Sequence, residues 1–448
     1  MTIKKHPLTM KNVSKIGYDL CTGCGTCISL CPTMAISIFR SKNHSIYLPV
    51  VDEFKCINCG TCIDVCPGLS VDFIHLNKCQ FNQIKEVGWL GNFSTCYLGY
   101  SMNQELRRNS SSGGLITSLL VYALEKKIVD RVLITRMKKN SPLESESFIA
   151  KNPEEVKIGI GSKYCPVHVN TKIYDILKSE GKFAVVGLPC HIHGIRKAQL
   201  KNKELREKIP LCIGLFCSHS ISYLGTDVLL EKMRIKKEDV LSLNYRGDGW
   251  PGFMKINLKN GKEIKFQYQS IWNSLFGPNY FTPFRCLTCF DHTNEFADIS
   301  FGDAWLKEVV MKDNIGTSIL ITRSVLGEEM IQSALNDNAI YVSNIEPKQV
   351  IKSQYHSLYN KKMGIRSRMD IMKLLGLRIP QYNINTYRSS KLLFLTNVFK
   401  VFNALIPKTN FGLKLLKSTP FPILRLYGAI LYYLDRLSAR VVGRDGIE

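Results

Sequence analysis

The side chains with most capacity for chemistry are sixteen cysteines in a chain of 448 residues, and half of them fall in two copies of one short run. Cys21, Cys24, Cys27 and Cys31 lead into Pro32, and Cys56, Cys59, Cys62 and Cys66 lead into Pro67 in the same steps. Steps of three and four residues suit thiolates wrapping one metal centre. Disulfides need partners held at a set separation instead. A structural zinc site uses one cysteine pair, a long gap and a second pair. The doubled C-x2-C-x2-C-x3-C-P run is the bacterial iron–sulfur pattern, in which three close thiolates hold one cubane and the fourth reaches the other. Two [4Fe–4S] clusters are therefore predicted, one on Cys21, Cys24, Cys27 and Cys66, the other on Cys56, Cys59, Cys62 and Cys31. Gly23, Gly25 and Gly60 let the loops bend closely enough to turn backbone N–H groups toward the sulfurs.

Eight cysteines remain. Cys286 and Cys289 form a single C-x2-C, while Cys190 and Cys217 each follow a β-type run, in VVGLPC and IGLFC. Two strand ends and one loop would supply four thiolates for a third cluster, which spacing alone leaves open. Cys79, Cys96, Cys165 and Cys212 match no ligand pattern and are expected to be buried structural thiols.

Elements must position these groups. After the cysteine-rich repeat of residues 1–80, residues 81–100 read as a connector. From about 101 to 345, short apolar runs alternate with helical stretches, as in an α/β layer structure. VDRVLIT, KFAVVGLP and IPLCIGLFC are strand-like, and LITSLLVYALEKK and TKIYDILKSEG have helical periodicity. The last stretch is apolar and basic. Its two apolar runs are broken by Lys400, Arg425 and Asp435 and fall short of the ~20 residues of a membrane-spanning helix. Packing on the body or a partner is expected there, with peripheral membrane contact as the alternative.

Beyond the repeat, Ser111-Ser112-Gly113-Gly114, Gly161-Ser162-Lys163-Tyr164, Gly187-Leu188-Pro189-Cys190, Leu215-Phe216-Cys217, and Cys286-x-x-Cys289 followed by Ala297-Asp298-Ile299-Ser300 and Gly302-Asp303 occur in order. Over roughly residues 15–345 this chain resembles the beta-subunit family of coenzyme F420-reducing hydrogenases and dehydrogenases. That family includes a plant chlorophyll reductase and bacterial members found among polysaccharide-biosynthesis proteins. The resemblance implies an α+β protein: an N-terminal two-cluster ferredoxin domain (1–80), an α/β flavin-binding body in two regions (81–175 and 176–345), and a basic, apolar helical tail (346–448). It also implies FAD and a third [4Fe–4S] cluster on Cys190, Cys217, Cys286 and Cys289. No residue identifies the deazaflavin F420 as substrate.

For the flavin, the loop Ser111, Ser112, Gly113, Gly114 runs into a helix whose free N–H groups suit a pyrophosphate. An ordinary N-cap is the plainer reading, and the resemblance favours the flavin. Ser162, Lys163 and Tyr164 offer a second loop, with Lys163 toward a phosphate and Tyr164 toward a ring. His191 and His193 are weak catalytic candidates as proton donors, and Asp298 and Asp303 are turn formers near the third cluster.

The formal charge is +23, reduced when clusters are bound. The basic residues are scattered and no nucleic-acid motif occurs, so a specific nucleic-acid partner is not expected. The polar N-terminus MTIKKHPLTMKNVSK lacks a signal-peptide core, which points to the reducing cytoplasm or its membrane surface. The parts predict an iron–sulfur flavoprotein oxidoreductase, fed by a ferredoxin-type donor and acting on a small organic substrate, with a place in polysaccharide biosynthesis suggested by the resemblance. The alternatives are a non-catalytic electron-transfer subunit and a binding factor with structural clusters.

Overall fold

The computed structural model describes residues 11–81 and 88–441. Its centre is an eight-stranded sheet of β1 (Cys96–Ser101), β2 (Arg131–Met137), β3 (Ser145–Ala150), β4 (Phe183–Gly187), β5 (Leu211–Leu215), β6 (Ile299–Asp303), β7 (Ser318–Thr322) and β8 (Ile340–Asn344). The spatial order is β8-β1-β7-β6-β5-β4-β2-β3. Four adjacent strands, β6, β5, β4 and β2, run parallel, with Val185 opposite Cys212 and Ile213 opposite Ile299. Antiparallel strands flank them on both sides. Parallel strands covered on both faces need continuous apolar runs. Phe183, Ala184 and Val185, and Leu211, Cys212 and Ile213, are accordingly inaccessible to solvent.

Helix Leu115–Glu125 places Leu119 and Ala123 on one face of the sheet with Val132 and Ile299. Helix Pro189–Lys201 covers the other face through Ile192, Ile195 and Ala198, and that core continues into Val65, Val71 and Phe73 of the N-terminal module. The ferredoxin-like module and the body thus share one apolar core. Residues 81–100 are not simply a connector, because Cys96 begins β1, an interior strand between β7 and β8; residues 82–87 of that stretch lie outside the described residues.

The C-terminal region forms helices Pro347–Lys362, Ile365–Leu374, Lys391–Leu405, Asn410–Ser418 and Phe421–Val441. It is built into the molecule. Lys361 and Lys362 are buried, Arg378 reaches back to Asp19, and Gln381–Tyr382 pairs in parallel with Ser70–Val71. No helix among the described residues is long and apolar enough to cross a membrane.

Candidate functional site

Each cysteine run leaves its loop through a left-handed glycine, Gly25 (φ 88°) or Gly60 (φ 77°), into the one-turn helices Thr26–Ser29 and Thr61–Asp64. A Cβ on Gly25 would lie 2.6 Å from Thr171, so the first loop sits directly on the body. Backbone N–H groups point at sulfur, Gly23 N to Cys21 Sγ at 3.3 Å and Ala35 N to Cys31 Sγ at 3.3 Å. Burial, then the neighbouring thiol of Cys66, pushes the Cys21 thiol up. Burial likewise raises Cys27, followed by the charges of Cys24, Cys66, Cys21 and Cys62. Cys62 is raised by burial and neighbours Cys59 and Cys31. Cys66 thus lies near Cys21, Cys24 and Cys27, and Cys31 near Cys62. Buried thiolates held face to face repel one another unless positive charge lies between them, and the donor set fits an iron–sulfur core.

Cys190 lies just inside helix Pro189–Lys201 after β4, Cys217 follows β5, and Cys286 lies in the turn Phe284–Leu287 just before Cys289. Burial pushes the Cys190 thiol well up, and its charged neighbours are Cys24, Cys286, Cys217 and Cys289. Cys217 is pushed up to about 12 by burial, with Cys286 and Cys289 beside it and Lys361 opposing. The chain brings all four thiols together and sets Cys24 of the ferredoxin-like module next to them.

Buried cations surround this junction. Lys361 Nζ donates to Asp291 O at 2.7 Å, and Arg285 donates to Gly68 O at 2.9 Å and Pro67 O at 2.8 Å, immediately after Cys66. Lys197 Nζ donates to Cys66 O at 2.8 Å. Of the four cysteines without a ligand pattern, Cys96, Cys165 and Cys212 are buried as expected. Cys79 is not; it is half-buried, with its sulfur near His75.

A cavity of about 1030 Å³ opens at the C-terminal ends of β4, β5 and β6, where parallel sheets place their binding sites. Both loops picked from the sequence reach it through Ser111, Ser112, Gly114, Ser162, Lys163 and Tyr164, and Cys217 is part of its wall. Ser111 Oγ accepts from Ser162 N at 2.8 Å, joining the two loops. Gly113 supports from behind, since a Cβ there would meet Gly99 O at 2.7 Å. Gly114, with φ 75°, starts helix Leu115–Glu125 without any side-chain cap, so the first-turn N–H groups face the cavity beside Ile116 and Thr117.

Lys163 corrects an expectation. Its ammonium donates to the carbonyls of Gly159, Ile160 and Gly161 and is pulled down to about 8 by burial, so its donors brace the loop and do not reach toward a phosphate. Tyr164 stacks on Tyr268 with ring centroids 5.3 Å apart. His191 lines the cavity, but its Nδ1 accepts from Leu188 N and its Nε2–H donates to Val167 O. Burial holds it down to about 4, so the ring is neutral and its one N–H is committed to Val167 O. His193 is away from the cavity, buried, and bonded to Asp291 at 2.8 Å. Asp298 and Asp303 are ion-pair partners, of Arg196 and Arg246 respectively.

Sequence reasoning missed Arg246, which pairs through two bonds of 2.8 and 2.7 Å with Asp303 at the cavity. It also missed Tyr268, His219, Trp305 and Arg436 on the wall. The glycine-rich stretch Arg246–Gly252 was the available signal for the first of these.

The coenzyme F420 hydrogenase/dehydrogenase beta-subunit family is matched in both its parts, the N-terminal region by residues 96–173 and the C-terminal region by residues 180–348, together more than half of the chain. The chain belongs to that family. A 4Fe-4S dicluster domain matches residues 20–68, so the N-terminal module is an iron–sulfur domain. An uncharacterized protein of Methanocaldococcus jannaschii is 27% identical over 76% of this chain and 95% of its own length. The coenzyme F420 hydrogenase subunit beta of Methanosarcina barkeri is 25% identical over 58% of this chain and 84% of its own. A coenzyme F420-dependent sulfite reductase of M. jannaschii is 26% identical over 54% of this chain and 37% of its own. The F420-reducing [NiFe] hydrogenase complex of M. barkeri contains a chain of the same fold, with TM-score 0.52 and 20% identity over 67% of this chain and 99% of that one. Within this family the protein is an iron–sulfur member of oxidoreductase type.

Proposed function

We propose that the protein holds three [4Fe–4S] clusters and one FAD, and moves electrons between a ferredoxin-type donor and a small organic substrate in the cavity. When bound, the clusters carry single electrons and the flavin exchanges one or two. The observation that carries the reading is continuity: Cys24 neighbours Cys190, and Cys217 belongs both to the four-thiol set and to the cavity wall.

At the far end, Cys59 is exposed, beside fully exposed Phe54 and largely exposed Ile57, which suits contact with a donor protein. In the cavity, the uncapped N–H groups after Gly114 suit a pyrophosphate. Tyr164 and Tyr268 supply flat apolar walls, and the Arg246–Asp303 pair lies beside the Tyr268 ring. A second reading, a subunit that passes electrons to a partner enzyme, is supported by relatives whose names describe them as hydrogenase and dehydrogenase subunits.

Anaerobic reconstitution tests the proposal by counting iron and flavin. The wild type should bind about twelve irons and one FAD per chain. Cys286→Ala/Cys289→Ala should bind about eight and keep its FAD, which reduced ferredoxin should then reduce far more slowly. Failure of the wild type to bind FAD, or an unchanged iron content in the variant, overturns the assignment. FAD that is reduced but reoxidised only by an added partner enzyme supports the subunit reading.

A further inference from the structure

The C-terminal helices are apolar on both sides: Leu393, Val401, Ala404, Leu424 and Leu431 pack inward beside buried polar groups, and further apolar stripes face out. Helix Lys391–Leu405 buries Thr396, Asn397, Lys400 and Asn403, while Leu395, Phe399 and Phe402 stand exposed at spacings of four and three residues. Helix Phe421–Val441 repeats the pattern, burying Asp435 and Ser438 and exposing Ile423, Leu426, Ile430 and Tyr433 along one stripe. Between them, helix Asn410–Ser418 exposes Phe411 and Leu415. A helix packed on a protein in water turns its apolar stripe inward. Here the inward faces mix apolar side chains with bonded polar groups: Lys400 pairs with Asp435, Asn397 accepts from Arg368, and Asn403 donates to Pro278 O. The inward faces are thus already partnered, and the outer apolar stripes call for a non-aqueous neighbour.

Charge selects the neighbour. Residues 386–441 contain nine Lys and Arg and one acid, Asp435, which is the buried partner of Lys400. Lys391, Lys414 and Arg425 are exposed among the apolar side chains. A second copy meeting this face isologously would set cations against cations. Aromatic and aliphatic stripes flanked by bases on helices that do not span are the pattern of an in-plane amphipathic anchor.

We propose that these three helices seat the protein on an anionic membrane surface. The bases pair with lipid phosphates, and Phe399, Phe402, Leu426 and Ile430 dip into the acyl boundary. The helix Phe421–Val441 also contributes Tyr432 and Arg436 to the cavity wall, so docking holds the cavity beside the lipid headgroups. The proposal stands independently of the redox reading, because it rests on the outer surface alone.

The test is co-sedimentation of the full, cluster-loaded chain with phosphatidylcholine vesicles, with or without about 30% phosphatidylglycerol, at low and high salt. The wild type should bind the anionic vesicles, bind pure phosphatidylcholine weakly, and lose binding as salt rises. Leu426→Glu/Ile430→Glu should weaken binding about tenfold or more while the visible cluster absorption stays unchanged, which reports an intact fold. A paired variant, Lys414→Gln/Arg425→Gln, should weaken binding to anionic vesicles and flatten the salt dependence. Equal binding to both vesicle types, or no binding, overturns the proposal. So does a wild-type dimer that Leu426→Glu/Ile430→Glu dissociates without changing vesicle binding.

Discussion

Replacing Lys362 by methionine removes the ammonium that faces Glu295 inside the molecule. The pair is 2.5 Å apart, with side chains 3% and 0% exposed, and Lys362 also sits 3.6 Å from the Phe290 ring centroid. At an effective dielectric near 20 their attraction is ~7 kcal/mol, set against a desolvation cost of several kcal/mol for each ion. The net worth of the pair is therefore small. Breaking it is another matter, because the Glu295 carboxylate is left buried, beside Asp291, with Arg323 as its remaining cation. The expected loss of stability is about 3–5 kcal/mol.

The loss carries a pH signature. Burial already raises the Glu295 carboxyl above the usual range, and Lys362 holds it down; without Lys362 it rises further. A raised carboxyl keeps a proton in the folded state that the unfolded chain releases near pH 4.3. Stability then falls by up to ~1.4 kcal/mol per pH unit as pH climbs from that value to the folded one. The deficit of Lys362→Met should be smallest near pH 5 and largest near pH 8. Anaerobic urea unfolding of the cluster-loaded chain, followed by tryptophan emission, measures it. Adding Glu295→Gln should recover most of the loss. A deficit below about 1 kcal/mol, or one that Glu295→Gln leaves in place, refutes the reasoning.

Two further outcomes follow from neighbouring cations. Lys361→Met removes a buried ammonium that neighbours Cys289, Cys217 and Cys286, so added negative charge at that site becomes costlier. The potential of the proposed third cluster should fall by on the order of 50 mV in a potentiometric titration read by electron paramagnetic resonance, the two N-terminal clusters staying put; no shift would count against a cluster at that site. Arg378→Ala removes donors to both Asp19 oxygens and to the carbonyls of Lys15 and Ile16. Amide exchange over residues 13–21 should quicken about tenfold or more, and unchanged protection would count against Arg378 as the clasp.

Much of the site was legible because its signals are local. The two cysteine runs, the strands over 131–137, 183–187 and 211–215, and the helix over 115–125 each show in a short window. What escaped depends on distant partners. β1 hides in a stretch full of Gly, Asn and Ser, and is a strand because β7 and β8 pair with it from more than 200 residues away. Lys400 reads as an interruption of an apolar run, yet it is a buried residue matched to Asp435 on another helix. Lys163 looked like a free cation until its three carbonyl partners were placed around it. Arg246 gave no spacing cue beyond the glycines that follow it, since its partner Asp303 lies 57 residues on, at the end of β6.

The pairing of Ser70–Val71 with Gln381–Tyr382 has a consequence for synthesis. The ferredoxin-like module leaves the ribosome first, yet its last backbone partner is made 311 residues later. At ~5–20 residues per second that interval is roughly 15 to 60 seconds. During it Ser70 and Val71 wait without this strand partner, and the module that precedes them is less firmly held. Once the C-terminal segment is made, this pairing ties the end of the module to the rest of the chain, so the module is fixed in place in the order in which the chain is made.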